Sequence, residues 1–252
     1  SGMWNSTNGG ADWTRTSKPY QLQSVSCLAQ DRRPGKENNW YYGTGEYWGN
    51  SADISGDGIY KSTNNGDSWD VLPSTLSKQI NSWDNPFDYI WNIAVDNTAP
   101  LNKDVVYVAT TSYGIYRTTD GGNMWAAVLG GGDGATFSDI TISPKGVIYA
   151  TLSSNGKNNK GIYRSTDGIN WTNITPANFP KDYNRTVIGI APSDENQVYI
   201  VSETPGAGKE TTDSQGNRLF HSLWKYTYIS GNGGGDGGVW GNRSENLPKP
   251  EA

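Results

Sequence analysis

The segment Gly114-Ile115-Tyr116-Arg117-Thr118-Thr119-Asp120-Gly121-Gly122-Asn123-Met124-Trp125 occurs four times in altered form. Its counterparts open at Gly2, Gly58 and Gly161 and close at Trp13, Trp69 and Trp171. A more divergent copy runs from Leu223-Trp224-Lys225-Tyr226-Thr227 to Trp240, interrupted by the glycine-rich stretch 231–238. Each copy begins as a strand of alternating aliphatic and aromatic residues, breaks at a Ser/Thr-x-Asx-Gly turn, and resumes at the tryptophan. Two more strand-like runs precede each closing motif except the first. They are Val25 to Ala29 with Trp40-Tyr41-Tyr42, then Ile90 to Val95 with Val105 to Thr110, then Ile140 to Ile142 with Val147 to Thr151, then Val187 to Ala191 with Val198 to Val201. A repeat of this length is one supersecondary unit that buries its apolar faces by stacking on its neighbours.

The turn chemistry explains the residue types. The carbonyl oxygen of Asn or Asp accepts turn amides, the Ser or Thr hydroxyl ties the same loop, and Gly takes φ > 0 without a steric penalty. The tryptophan is expected to pack on neighbouring strands, where a buried ring removes ~150–250 Å² from water, roughly 4–6 kcal/mol gross. Two copies carry Asn8 and Asn64 where the others carry Asp120 and Asp167. An amide can accept a hydrogen bond but cannot act as a general base. The positions Ser6, Asn8, Trp13, Ser62, Asn64, Trp69, Thr118, Asp120, Trp125, Ser165, Asp167, Trp171 and Trp240 are therefore read as structural.

Composition narrows the function. The 252 residues include 11 Trp, 15 Tyr and 32 Gly, with 18% charged residues and a net charge of −5. Phosphate-binding proteins need clustered Lys and Arg, so nucleic acid is excluded as a partner. No apolar run is long enough to span a bilayer, so membrane insertion is not expected. One cysteine, Cys27, excludes an intrachain disulfide and reads as a buried thiol. With one histidine, His221, a zinc site has no ligand set. The abundance of Asn, Thr, Ser, Gly and aromatic residues points to a secreted, extracellular or cell-surface location.

The Ser/Thr-x-Asp-x-Gly-x-x-Trp motif resembles the Asp-box, or BNR repeat, and the wider pattern is similar to sortilin-like and glycosidase-like propellers of large secreted bacterial proteins with type IX sorting domains. The resemblance implies an all-β fold, a β-propeller of four-stranded antiparallel blades around a common axis. On that basis 1–252 is one propeller segment: an outer hairpin at 1–16, blades at 24–73, 88–129, 136–175 and 186–241, and a tail at 242–252. Four blades and an orphan hairpin imply part of a larger ring of seven to ten blades, completed by the rest of the polypeptide or by another chain.

Propeller connectivity further implies that the turns opposite the repeated motif share one face. Those loops, 46–57, 73–87, 130–135, 176–185 and 203–221, hold Tyr47, Trp48, Asp53, Trp83, Asp84, Phe179, Tyr183 and Arg218. Aromatic rings among carboxylates and amides suit stacking on sugar or gripping a peptide. These eight are the candidate ligand-binding residues. Counting four residues past the tyrosine of each second strand gives Glu46, Thr111, Ser153 and Glu203, which makes Glu46 and Glu203 the candidate carboxylate pair for glycoside hydrolysis. A sialidase-like reading fails, because only Arg33-Pro34 approaches the Arg-Ile-Pro motif and Arg117 and Arg164 read as outer-strand surface. No cofactor is expected. Calcium has only the spacing of Asp53, Ser55 and Asp57 to support it, and Lys61 and Asn64 depart from the loop pattern. The sequence favours a non-catalytic binding or adhesion scaffold for a polysaccharide or protein partner. The alternatives are part of a glycoside hydrolase propeller, or a secretion-system cargo or assembly partner.

Overall fold

The computed structural model describes residues 2–21, 24–47, 54–77 and 83–248. Its strands in chain order are β1 (Trp4–Asn5), β2 (Thr14–Arg15), β3 (Val25–Gln30), β4 (Trp40–Thr44), β5 (Ile59–Ser62), β6 (Asp70–Val71), β7 (Ile90–Val95), β8 (Val106–Thr110), β9 (Gly114–Thr118), β10 (Ala126–Leu129), β11 (Ser138–Ile142), β12 (Ile148–Leu152), β13 (Gly161–Ser165), β14 (Thr172–Asn173), β15 (Thr186–Ile190), β16 (Gln197–Glu203), β17 (Lys209–Thr212), β18 (Arg218–Tyr228) and β19 (Gly238–Asn242). They form an all-β fold of four-stranded antiparallel meanders, β3 to β6, β7 to β10 and β11 to β14. A last sheet, β15-β16-β18-β19, has β17 as an extra strand, and β1-β2 is a separate two-stranded piece. Among the described residues no sheet closes on itself.

The chain divides into two compact units, Ser1–Thr111 with Tyr116–Ala127, and Ser112–Ile115 with Val128–Ala252. In the first unit, Tyr41 and Ile59 of one sheet pack with Ile90, Ile93, Val106 and Val108 of the next. On the other face of that first sheet, Tyr42, Tyr60 and Trp69 form a smaller group with Met3 against it, the Tyr42 and Tyr60 rings stacked at 4.7 Å. In the second unit Tyr149 and Ile162 pack with Ile188, Ile200, Trp224 and Tyr226. The middle strands β8 and β12 are buried at every residue, as expected of a sheet covered on both faces. Their Val, Ile, Tyr and Thr content suits that surface.

The repeated turns show one bonding scheme. The Ser62 hydroxyl donates to Asn64 Oδ1 at 2.8 Å and accepts the Gly66 N–H, while Asn64 Oδ1 also accepts the Ser68 N–H at 3.0 Å. Ser6 and Asn8 repeat this with Gly10 and Asp12. Thr118 and Asp120 do so with Gly122 and Met124. The fourth copy is one residue shorter, and there Asp167 Oδ1 accepts the amides of Ile169 and Asn170, both at 2.8 Å. The glycine that opens each copy has its own reason. Gly114 has φ 81°, and a Cβ there would stand 2.2 Å from the Leu129 carbonyl oxygen.

The closing tryptophans depart from the expectation of uniform burial. Trp69 is buried, because Thr16 Oγ1 accepts its indole N–H at 3.0 Å and Gln21 bonds its carbonyl. Trp125 and Trp240 are half-buried, against Phe87 and Tyr226 respectively, and Trp171 is half-buried too. Trp13 is exposed, its indole N–H donating only to the nearby Gly10 carbonyl. The difference is the covering chain, which Trp69 has and Trp13 lacks. Arg164 also corrects its sequence reading as outer surface. It is buried, stacked 4.2 Å from the Tyr228 ring centre and bonded to the Asn232 carbonyl. Cys27 is half-buried rather than buried.

Candidate functional site

Tyr47 and Trp83, distant in sequence, meet with ring centres 4.9 Å apart. Tyr89 joins them, 5.4 Å from Tyr47 and 4.5 Å from Trp83, and Trp91 lies 6.5 Å from Tyr47. All four belong to the first unit. Tyr47 leaves β4 just past the Glu46–Ile54 bridge, and Tyr89 and Trp91 flank the first residue of β7. The β7–β8 register shifts between Ile90 and Asn92, leaving Trp91 as the extra residue. A bulge re-aims a side chain out of the strict alternation of a strand. Tyr89 is buried and forms the floor, while Trp83 retains 43% of its surface.

Two local devices hold this group. The buried Asp88 carboxylate accepts the N–H of Asp84 at 2.8 Å and of Asn85 at 3.0 Å, and takes the Ser77 hydroxyl as well. This fixes the turn that carries Trp83 and Asp84. The Asp88 carbonyl in turn accepts the Gly56 N–H at 2.6 Å. A Cβ on Gly45 or Gly56 would stand 2.3 or 2.4 Å from that oxygen, so only glycine lets the two loops press together. Exposed Asp84 accepts the Ser77 hydroxyl at the edge of the aromatic group. A floor of rings with a carboxylate rim can stack on a pyranose face and accept its hydroxyl protons.

The other expected site residues fall elsewhere. Trp48 and Asp53 lie outside the described residues. Phe179 and Tyr183 were expected among binding loops; both are buried, 5.1 Å apart, with Phe179 5.4 Å from Trp224. They floor an open cleft of about 460 Å³ with Lys160, Pro180, Lys181 and Asp182. The segment 203–221 was expected as a loop; β17 and the start of β18 instead make it a β-hairpin arm. Arg218 sits on that arm, paired with Glu210 and 5.2 Å from the Phe220 ring centre.

The carboxylate pair loses its equivalence. Tyr41 pairs with Lys61, Tyr149 with Arg164 and Tyr199 with Lys225. Tyr41, not Tyr42, is thus the counterpart of Tyr149 and Tyr199, and four residues beyond it stands Gly45 rather than Glu46. Glu203 accepts the Asn184 side-chain amide at 3.1 Å, and Glu46 and Glu203 belong to different units. The calcium spacing is also engaged otherwise. Asp57 Oδ2 accepts the Tyr60 hydroxyl, and Asn64 closes its turn. Among the described residues no group of three His, Cys, Asp or Glu side chains could hold a metal ion.

Arg33 serves a structural lock. Its guanidinium binds Asp31 through Nε at 2.9 Å and Nη2 at 2.6 Å, Asp104 at 2.9 Å, and the carbonyls of Ala99, Pro100 and Lys103. Burial would raise the Asp104 carboxyl, but bonds from Lys36 and Arg33 hold it below the usual range. Burial pushes the Lys61 ammonium down.

No protein-family model matches the chain. A xyloglucanase, Xgh74A of Acetivibrio thermocellus, is 26% identical over 222 residues, covering 78% of this chain and 25% of that enzyme. Among solved structures, the GH74 enzyme of Niastella koreensis aligns with TM-score 0.51 and 19% identity, over 88% of this chain and 38% of that one. PorZ, a surface component of the type-IX secretion system of Porphyromonas gingivalis, aligns with TM-score 0.52 and 15% identity, over 93% of this chain and 30% of that one. The chain therefore spans about a quarter of the length of the curated relative it matches. The structural likeness is one of fold, and the fold is that of β-propeller blades.

Proposed function

We propose that this chain supplies polysaccharide-binding blades of the Asp-box, sortilin-like type to an extracellular or cell-surface β-propeller, the remaining blades coming from the same polypeptide or another chain. The ligand is a neutral glucan-like polymer, and the Tyr47–Trp83–Tyr89–Trp91 group receives it. The half-open Trp83 ring over a buried Tyr89 floor carries this reading, since a ring held by other rings presents a flat face at little entropic cost. Kinship with a xyloglucanase supports the polymer class. The reading needs no cofactor, nucleic acid or membrane insertion. Titration with xyloglucan oligosaccharides, followed by tryptophan fluorescence and calorimetry, tests it. Binding should saturate, and Trp83→Ala should weaken it by about tenfold, the equivalent of ~1.4 kcal/mol. Absence of binding to every glucan tried, or undiminished affinity in Trp83→Ala, would overturn it.

The same kinship favours a second reading, hydrolysis of the bound polymer by the protein to which these blades belong. Release of reducing ends from xyloglucan by this chain, abolished in Glu46→Gln or Glu203→Gln, would establish catalysis and displace the binding role.

A further inference from the structure

The cleft floored by Phe179 and Tyr183 lies wholly within the second unit. Lys160, the last residue before β13, and the connection from β14 to β15 supply its lining. Local bonds fix its shape. The Ser154 hydroxyl donates to the Tyr183 carbonyl at 2.9 Å and accepts the Tyr183 N–H at 3.0 Å, and the Ser154 N–H donates to the same carbonyl at 2.9 Å. The Tyr183 ring then meets Phe179 edge-on, and Phe179 rests on buried Trp224. Pro176 and Pro180 stiffen the turn between, where the Phe179 N–H donates to the Pro176 carbonyl at 2.9 Å. The Lys160 carbonyl accepts the Tyr163 hydroxyl at 3.2 Å and the Asn173 side-chain amide at 3.3 Å. A cleft held in this way loses little freedom when it is filled.

The groups it presents are chemically mixed and unused. Tyr183 is 4% exposed, yet among the described residues its hydroxyl has no hydrogen-bond partner. Burial pushes that phenol up, so it stays a neutral donor. Lys160, Lys181 and Asp182 are exposed on the same cleft, and among the described residues none of the three forms an ion pair. By contrast Lys145 is paired with Glu195 and Arg218 with Glu210. An anion drawn to the two ammonium groups would also meet the Asp182 carboxylate, and a cation would meet the reverse. A polyol suits both signs, because each hydroxyl can accept from an ammonium and donate to a carboxylate. Phe179 and the two prolines add apolar surface on which the C–H face of a pyranose can rest. The volume of about 460 Å³ is that of a small-ligand cleft.

We propose that this cleft is a second saccharide site, which rests on the polysaccharide reading for its ligand class but shares no residue with the Trp83 group. An uncharged pyranose unit accepts from the Tyr183 hydroxyl and the two ammonium groups and donates to Asp182. Calorimetry with xyloglucan oligosaccharides should find two sites per chain. Trp83→Ala weakens the first and should leave the second at its wild-type affinity. Tyr183→Phe deletes one oxygen and keeps the ring packing, and it should weaken the second site by about tenfold, the upper end of what one hydrogen bond contributes. Lys181→Ala should do the same, with unchanged circular dichroism in both variants. Binding that ignores Trp83→Ala but falls with Tyr183→Phe would uphold this site and remove the Trp83 platform. A single site per chain, weakened by Trp83→Ala and indifferent to Tyr183→Phe and Lys181→Ala, overturns the second site alone. No binding to the wild-type chain overturns both. Glucuronate binding that is lost in Lys160→Ala and Lys181→Ala, without any binding of the uncharged oligosaccharides there, also overturns it, because the cleft would then be an anion site.

Discussion

Asn8 and Asn64 accept the same two bonds that Asp120 accepts, so the turn needs an oxygen at this position and not a charge. The charge still has a consequence. The side-chain amide of Asn170, followed by the amides of Asn170 and Ile169, holds the Asp167 carboxyl well below the usual carboxylate range, and the Thr118 hydroxyl does the same for Asp120. A carboxyl depressed in the folded state contributes stability above its unfolded value, near 3.9, and loses it as pH falls through the folded value. Asp167→Asn lacks this charge-dependent contribution, so it should unfold below the wild-type midpoint at neutral pH and approach it as pH falls below about 4. Asp167→Ala should cost ~1 kcal/mol at neutral pH, the usual loss when a turn acceptor is removed. Urea unfolding of the three proteins at several pH values measures both effects. An Asp167→Asn variant as stable as the wild type at neutral pH would mean that the charge adds nothing to the turn. This much of the turn was legible in the sequence, because its bonds close within a few residues. The fate of Trp13 was not, because burial of that ring depends on chain far from the motif.

Sheets were legible for a similar reason. Four short alternating runs per repeat specify a meander whatever surrounds it. What escaped the sequence lies one packing step further out. Phe179 and Tyr183 read as loop aromatics, yet Trp224 and Ile188 bury them, and 203–221 read as a loop because its pairing partner lies within the same segment. Adjacent Tyr41 and Tyr42 produced the misalignment of Glu46, since a one-residue slip carries every side chain to the other face. Trp91 was hidden by its bulge, which no alternation rule anticipates. Two predictions belong to this scale. Arg33→Ala leaves the buried Asp31 carboxylate without its guanidinium and should destabilise the first unit by about 3–5 kcal/mol, against almost nothing for exposed Arg15→Ala. Gly114→Ala places a methyl against the Leu129 carbonyl at a positive φ and should cost more than about 2 kcal/mol. Chemical denaturation of each variant reads both, and an Arg33→Ala protein as stable as the wild type would mean that the lock is dispensable.

At the scale of the whole molecule, the polymer proposed as its ligand and its net charge of −5 constrain each other. The aromatic group sits beside Glu46 and the exposed Asp84, and its supporting turn is built around Asp88. An anionic polysaccharide would meet like charge both at the site and across the protein, whereas an uncharged glucan loses nothing by approaching it. Stacking and hydroxyl hydrogen bonds are also insensitive to screening, since the Debye length matters only for interactions between charges. Affinity for xyloglucan oligosaccharides should therefore be unchanged between low salt and ~1 M sodium chloride, where the Debye length falls to about 3 Å. Binding to a polygalacturonate should be undetectable at low salt and should improve, if anything, as salt rises. Calorimetry of both polymers across the salt series tests this against the acidic surface itself. Tight polygalacturonate binding that weakens with salt would require a cationic site in place of the Trp83 platform and would refute the neutral-polymer assignment.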